Sequence, residues 1–341
     1  MLKIDVHTHI LPERLPDFRK VPGGERFVRI EHQAPGSGRA RMIVDGSVFR
    51  EIESNSWNVE ARLAECDAAG VDVQVLSTVP VMFSYWAQPD SALDLAVRLN
   101  DHIAGVVAAH PQRFAGLGTI PMQSPDLAIR ELERCVRDLG LSGVEIGSNV
   151  NGANLDSPEL FPIFEAAVSL DAAVFIHPWE VAGRDRMTRY WLPWLVGMPA
   201  EVSLAICSLI FGGVLERLPA LRIAFAHGGG AFPATIGRIV RGFEARPDLC
   251  AVANAVSPRE YLRRIYVDSL VHDPLMLHYL VDLMGPDRIA LGSDYPFPLG
   301  EARAGELIDS CGFPDETRAR LLHGTALEWL GLSAARFGGA R

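Results

Sequence analysis

Ile4-Asp5-Val6-His7-Thr8-His9 decides the fold: an apolar run beginning almost at the start of the chain and ending in two histidines spaced by one residue. In an extended strand successive side chains alternate faces, so His7 and His9 point the same way, about 7 Å apart. Neutral imidazoles on a short strand end suit one borderline metal ion, Zn²⁺, Fe²⁺, Ni²⁺ or Cu²⁺, with little ordering cost. Two ligands do not make a site, and the same pair is consistent with a strand that merely ends in histidines. The other donors have to come from further along the chain.

Seven more short apolar runs follow, bounded by turn residues: Val71 to Ser77, Phe114 to Ile120, Gly143 to Gly147, Ala172 to His177, Arg222 to His227, Arg264 to Asp268 and Arg288 to Ser293. Between them the spacing predicts helices over Val59 to Ala69, Ser91 to His110, Pro125 to Leu139, Pro158 to Leu170, Ala200 to Leu218, Pro233 to Phe243 and Pro274 to Met284. Eight strands alternating with helices predict an α/β fold, a (β/α)8 TIM barrel. Residues 1–341 then form one domain, with a small insertion at 11–57 after strand one and helices at the C-terminus. The insertion is rich in Gly, Arg and Pro, with strand-like pieces such as Arg41 to Val44. A second departure, Pro178 to Pro199, carries Trp179, Trp191 and Trp194 and reads as a loop after strand five. Both fall on the face where βα loops carry function.

Composition excludes several classes. With 48% hydrophobic and 22% charged residues, the chain reads as a soluble globular enzyme and not as a disordered or fibrous one. A formal charge of −10, from 32 basic against 42 acidic residues, argues against a nucleic-acid partner. Five scattered cysteines without a Cys-x-x-Cys pair suggest neither a disulfide framework nor a thiolate zinc site, and a cytoplasmic location is the simplest expectation. No secretion signal is apparent and no apolar run approaches a bilayer span, so no membrane association is expected.

The barrel places the polar residues at strand ends on one rim. Strand one ends in His7 and His9, strand five in His177, strand six in His227 followed by three glycines, and strand eight in Ser293-Asp294. Three imidazoles and a carboxylate, His7, His9, His177 and Asp294, make a credible single-metal set, with zinc favoured and one ion per subunit. Zinc lowers the pKa of a bound water to about 7. His227 suits a general acid/base beside the metal, with a fifth ligand or an outer partner as its alternatives. Asp294 is also a candidate proton shuttle. Asp268, after strand seven, is a candidate for orienting a ligand histidine. No lysine stands at the end of strand four, where Glu145 lies, so a carbamylated-lysine two-metal centre is not expected. Arg50 and Arg238 are candidates for bidentate carboxylate binding, although each taken alone reads as a surface charge.

Five segments carry a resemblance: residues 4–12, residues 78–86, Tyr190-Trp191-Leu192-Pro193-Trp194 running on to Glu201, His227-Gly228-Gly229-Gly230, and Gly292-Ser293-Asp294-Tyr295-Pro296-Phe297-Pro298-Leu299-Gly300-Glu301. In these the chain is similar, nearly end to end, to the aminocarboxymuconate-semialdehyde decarboxylase family of the amidohydrolase superfamily. The resemblance implies a zinc-dependent, non-oxidative decarboxylation of 2-amino-3-carboxymuconate 6-semialdehyde to 2-aminomuconate 6-semialdehyde in tryptophan breakdown through kynurenine. It implies metal ligands at His7, His9, His177 and Asp294, and an acid/base at His227. It further implies substrate contacts at Arg50, Trp191 and Phe297, and a homodimer in which Arg238 reaches the neighbouring active site. Glu145 departs from the pattern, standing where an uncharged amide is expected. The alternative reading is a related aromatic-acid decarboxylase or metal-dependent hydrolase.

Overall fold

The computed structural model describes residues 1–21, 23–34 and 36–338. Eight parallel strands follow one another around a barrel: β1 (Ile4–His9), β2 (Val73–Ser77), β3 (Phe114–Gly118), β4 (Gly143–Gly147), β5 (Ala173–His177), β6 (Arg222–Phe225), β7 (Tyr266–Asp268) and β8 (Ile289–Ala290). The last strand meets the first through the Val6 N–H donating to the Leu291 carbonyl at 2.8 Å, and Thr8 bridges to Tyr295. Helices α1 (Val59–Ala69), α2 (Pro89–Ala109), α3 (Pro125–Arg137), α4 (Phe161–Ser169), α5 (Met198–Phe211), α6 (Phe232–Ala245), α7 (Pro274–Met284) and α8 (Thr325–Leu330) follow their strands and cover the outside.

The lumen is filled and not open. Ile4, Val6, Val75, Leu117, Phe175 and Ala224 are buried inside it, and Trp329 of α8 seals the end where the strands begin. A fully buried side chain of this kind contributes about 1.5–3 kcal/mol. With one end sealed, only the C-terminal ends of the strands are left to form a site.

β1 departs from simple alternation. It pairs with β2 through Asp5 to Gln74 and then Thr8 to Leu76, so β1 carries one residue more than its partner across that interval. Ile4 and Val6 pack in the lumen, and strict alternation would send Thr8 inward with them. The extra residue changes the parity and brings His7 and His9 to the barrel axis, where His7 lies edge-on to Phe175 at 5.0 Å between ring centroids.

Residues 11–57 do hold strands. Arg29–His32, Arg39–Val44 and Ser47–Glu53 form an antiparallel three-stranded sheet, its last hairpin closed by Asp45-Gly46 with both residues at positive φ. Ala40, Met42 and Ile52 bury one face of it against Leu11, Phe27, Met82 and Leu99. The ladder slips between Met42 and Ile43, leaving Phe49 as the extra residue beside Arg50.

Three sequence expectations need correction. The predicted helix Ala200 to Leu218 breaks at Gly212-Gly213, where Gly213 sits at φ +71° and a side chain would strike the Ala253 carbonyl. Part of the predicted loop from Pro178 to Pro199 is helical, since Pro193–Gly197 forms a π-helical turn continuous with α5. That continuity also overturns the expectation that no apolar run approaches a bilayer span. Pro193–Phe211 has 19 residues with a mean hydropathy of 1.8, long and apolar enough to cross a membrane, and 44% of its most apolar window is buried in the fold. Its Val202, Ala205, Ile206, Leu209 and Ile210 are spent on the packing between barrel strands and helices.

Candidate metal centre and substrate cavity

The three histidines at the ends of β1 and β5 are held alike. The Nδ1 of His7 faces Asp268 Oδ2 at 2.7 Å, that of His9 the Thr78 carbonyl at 2.8 Å, and that of His177 the Pro178 carbonyl at 3.0 Å. Every one of these partners is an acceptor, which fixes the proton on Nδ1 and leaves the Nε2 lone pair facing inward. The Nε2 atoms of His7 and His177 are buried without any hydrogen-bond partner. Asp294 enters from the loop after β8, with Oδ1 3.0 Å from His9 Nε2 and 3.5 Å from His7 Nε2. Ligand atoms from His7, His177, His227 and Asp294 all lie within 4.8 Å of one another, as one ion requires. His9 stands outside that tightest grouping, although its Nε2 is 3.0 Å from Asp294 Oδ1 and its ring centroid 5.1 Å from that of His7.

The electrostatics call for a cation at this point. Burial by itself would raise the pKa of Asp294, but the His9 hydrogen bond and the surrounding imidazoles outweigh it and hold the carboxyl well below its usual range. Burial likewise opposes charge on His9, yet Asp294 and Glu145 reverse the balance and raise its pKa. His9 has an acceptor at each nitrogen, so something positive belongs between Nε2 and the carboxylate: a proton, or a metal in its place. Orphaned lone pairs on His7 and His177, with an anionic oxygen between the rings, fit a metal of the zinc or manganese type.

His227 lies just beyond the end of β6, at φ +57°, and begins a run of residues with positive φ that continues through Gly228, Gly229 and Gly230. Strand six is therefore shorter than the run Arg222 to His227 suggests. Its ring centroid is 5.3 Å from that of His7 and 5.2 Å from that of His177, and its Nε2 is 4.0 Å from Asp294 Oδ2. Burial, and then the neighbouring His7 ring, push its pKa down to about 4, so the imidazole is neutral near pH 7. A neutral ring beside the centre is able to take up a proton and return it.

A cavity of about 460 Å³ opens over His9, His177 and Asp294. Arg50 and Phe49 reach it from the inserted sheet, Trp179, Trp191 and Trp194 from the segment after β5, and Phe297 and Leu299 from the loop after β8. Phe297 stacks on His9, with centroids 5.3 Å apart, and the Arg50 guanidinium lies 4.0 Å over the Phe297 ring. Among the described residues Arg50 makes no ion pair, so its donors are available to a carboxylate in the cavity. His227 does not line this cavity. It opens, with Asp294, Trp194 and Met198, on an adjoining and more apolar cleft of about 1040 Å³.

His7, His9, His177, His227 and Asp294 are thus brought together, and Arg50, Trp191 and Phe297 surround the cavity above them. Arg238 is not among them: it is exposed on α6 and lines neither cleft. Glu145 is fully buried on β4, with one oxygen 3.8 Å from His9 Nδ1 and neither oxygen hydrogen-bonded. Burial, opposed by His9, pushes its carboxyl up to about 8. The acceptors of Thr78 and Pro178 escaped notice in the sequence because they are backbone carbonyls, which any residue type provides.

Donors of this kind, converging at the open end of a sealed barrel, define a metal-dependent barrel enzyme. Comparison with known proteins agrees: residues 4–332 match the Amidohydrolase family. The chain is 59% identical, over 98% of its own length and 93% of the relative's, to 2-amino-3-carboxymuconate-6-semialdehyde decarboxylase of Dictyostelium discoideum. Its fold is similar to the crystal structure of 5-carboxyvanillate decarboxylase from Sphingomonas paucimobilis, with a TM-score of 0.77, 31% identity, and 82% of this chain and 85% of that one covered. The 5-carboxyvanillate decarboxylase from Novosphingobium aromaticivorans, solved with manganese, gives a TM-score of 0.75 at 27% identity, with 82% of each chain covered. The chain belongs to the amidohydrolase superfamily and, within it, to the 2-amino-3-carboxymuconate-6-semialdehyde decarboxylases.

Proposed function

We propose that this chain removes CO₂ from 2-amino-3-carboxymuconate 6-semialdehyde to leave 2-aminomuconate 6-semialdehyde, as a zinc-dependent cytoplasmic homodimer serving tryptophan breakdown. The observation that carries the reading is the unpaired Arg50 guanidinium, held by Phe297 in the cavity directly above His9, His177 and Asp294. The high identity to the Dictyostelium discoideum relative supports the choice of substrate.

His7, His9, His177 and Asp294 hold the metal, which when bound supplies a Lewis acid and acidifies a coordinated water. His227 takes a proton from a water whose hydroxide adds to the alkene carbon next to the one bearing the carboxylate, and hands that proton to the carboxylate-bearing carbon, which becomes tetrahedral. The C–CO₂ bond then breaks, its electron pair re-forms the double bond and expels hydroxide from the neighbouring carbon, and the hydroxide takes one proton from solvent to leave as water. The net change replaces one carboxylate with hydrogen. Arg50 fixes one carboxylate so that the scissile bond is oriented, and the aromatic walls keep bulk water out.

Purified protein with measured metal content, given the semialdehyde, is expected to consume it and release CO₂ in equal amounts. Failure with the semialdehyde, together with turnover of a dihydroxybenzoate or a lactone, overturns the assignment in favour of the aromatic-acid or hydrolase reading. Arg50→Ala is expected to lower kcat/KM by about 10–100-fold, mainly through KM, because a charged hydrogen-bond partner of this kind contributes about 1.5–3 kcal/mol. Steady-state kinetics on the semialdehyde check it, and an unchanged KM removes Arg50 from substrate binding.

The second carboxylate falls to Arg238. Its exposure, away from the cavity of its own chain, agrees with a role in a neighbouring subunit. Mixing Arg238→Ala and His227→Ala subunits is expected to restore part of the activity that each alone has lost, since one of the two sites in a mixed dimer then carries neither substitution. A verified mixed dimer that stays inactive counts against the crossing.

A further inference from the structure

The carboxylate of Asp268 joins two parts of the site that the strand order keeps apart. It is fully buried at the end of β7, and four donors surround it. Oδ2 accepts from His7 Nδ1 at 2.7 Å and from the His227 N–H at 2.9 Å. Oδ1 accepts from the Gly228 N–H at 2.7 Å and from the Leu270 N–H at 3.1 Å. One side chain therefore holds both the ring of a metal-ligand candidate and the backbone that carries the acid/base candidate.

The loop at His227 is built to be held in this way. Within a run of four residues at positive φ, from His227 through Gly230, the first two N–H groups both turn to the Asp268 carboxylate, while those of Gly229 and Gly230 return to the Ala226 and His227 carbonyls. His227 has the side chain least suited to that backbone in the run, so its conformation depends on the anion it encloses. A side chain at Gly228 would strike Val271, and one at Gly230 the Pro199 carbonyl, which leaves the loop little room for another arrangement.

We infer that Asp268 is a positioning residue that makes the placement of His227 depend on the seating of His7, so that loading the metal and setting the acid/base are one event. The inference rests on the roles given above to His7 and His227. Asp268 Oδ2 accepts the His7 Nδ1 proton, which leaves the Nε2 lone pair for the ion that His7 would hold, and the same oxygen receives the His227 amide. Seating of the ring is thereby passed to the loop through one oxygen atom.

Asp268→Asn tests this with almost no change of shape. All four groups facing the side chain are donors, and an amide turns its own NH₂ toward two of them in either orientation. The first measurement needs no substrate: hydrogen exchange of the His227 and Gly228 amides in the metal-stripped full chain, before and after adding Zn²⁺ alone. In the native sequence the ion is expected to slow their exchange by about tenfold or more. In Asp268→Asn, at a concentration where zinc is shown to be bound, that protection is expected to be lost while protection at β5 is kept. The second is kinetic: Asp268→Asn in zinc-loaded enzyme lowers kcat by about 10–100-fold with KM within about threefold, and has almost no further effect in a His227→Ala background.

Amides at 227 and 228 that ignore zinc in the native chain overturn the inference, and that result needs no variant to fold. Protection that persists in Asp268→Asn, or a kcat loss that multiplies with that of His227→Ala, overturns it equally. Because the exchange measurement uses the metal alone, a mistaken choice of substrate leaves it unaffected.

Discussion

His227→Ala is expected to keep its metal and to lose about 10²–10⁴-fold in kcat, the usual contribution of a positioned acid/base. At 1.36 kcal/mol per decade, that is a barrier higher by about 3–5 kcal/mol. Two features make the effect large. The ring is neutral near pH 7, since burial and then His7 lower its pKa to about 4, so its lone pair is open to a proton that it holds weakly and gives back readily. No other imidazole of the centre replaces it, because the Nδ1 atoms of His7, His9 and His177 are already committed to Asp268, Thr78 and Pro178. Metal analysis alongside kinetics separates this outcome from loss of the centre. A His227→Ala protein with full metal and native turnover removes the acid/base role.

His177→Ala is expected to weaken metal binding by more than the roughly 10–100-fold typical of losing an outer partner, because it removes a donor itself. The protein should then purify largely without metal and without activity. His177 is the strictest test of the ligand set. Its Nε2 has no hydrogen-bond partner in the fold, and burial and then the neighbouring histidines hold its pKa well below the ordinary value. A buried imidazole without another partner has no evident structural task that a smaller side chain would fail. Elemental analysis and a titration of the metal-stripped protein check the expectation. Retention of a full complement of metal would assign the centre to other residues.

The legible part of the sequence was the part that side-chain type and spacing encode. Eight apolar runs with polar ends mark the strands, and four histidines and an aspartate at those ends mark the centre. What stayed illegible belongs to the backbone. The extra residue in β1 that turns His7 and His9 inward leaves no mark in composition, and simple alternation from His7 to His9 gives the right face without showing why Ile4 and Val6 share it. The loop of positive φ after β6 shortened a strand that apolar character alone extends to His227. The apolar stretch leading into α5 looked like a loop because Pro193 and Gly197 are punctuation in most contexts, whereas in this fold the proline begins the helical turn. Arg238 shows a different kind of limit: an exposed arginine on α6 carries no mark in its own chain of the role proposed for it in a neighbouring subunit.

The hairpin closed by Asp45-Gly46 separates two inheritances. The side chains that converge at the candidate metal centre belong to barrel strands and the loops that leave them, where a shift of one residue disturbs the closure of the whole sheet. Arg50 belongs to a small sheet with its own turn, its own register and its own buried face, packed on Leu11, Met82 and Leu99. Lengthening or reshaping that appendage is expected to alter what is recognised while the reactive centre stays as it was. Such an arrangement lets a lineage keep one reaction and change its diet.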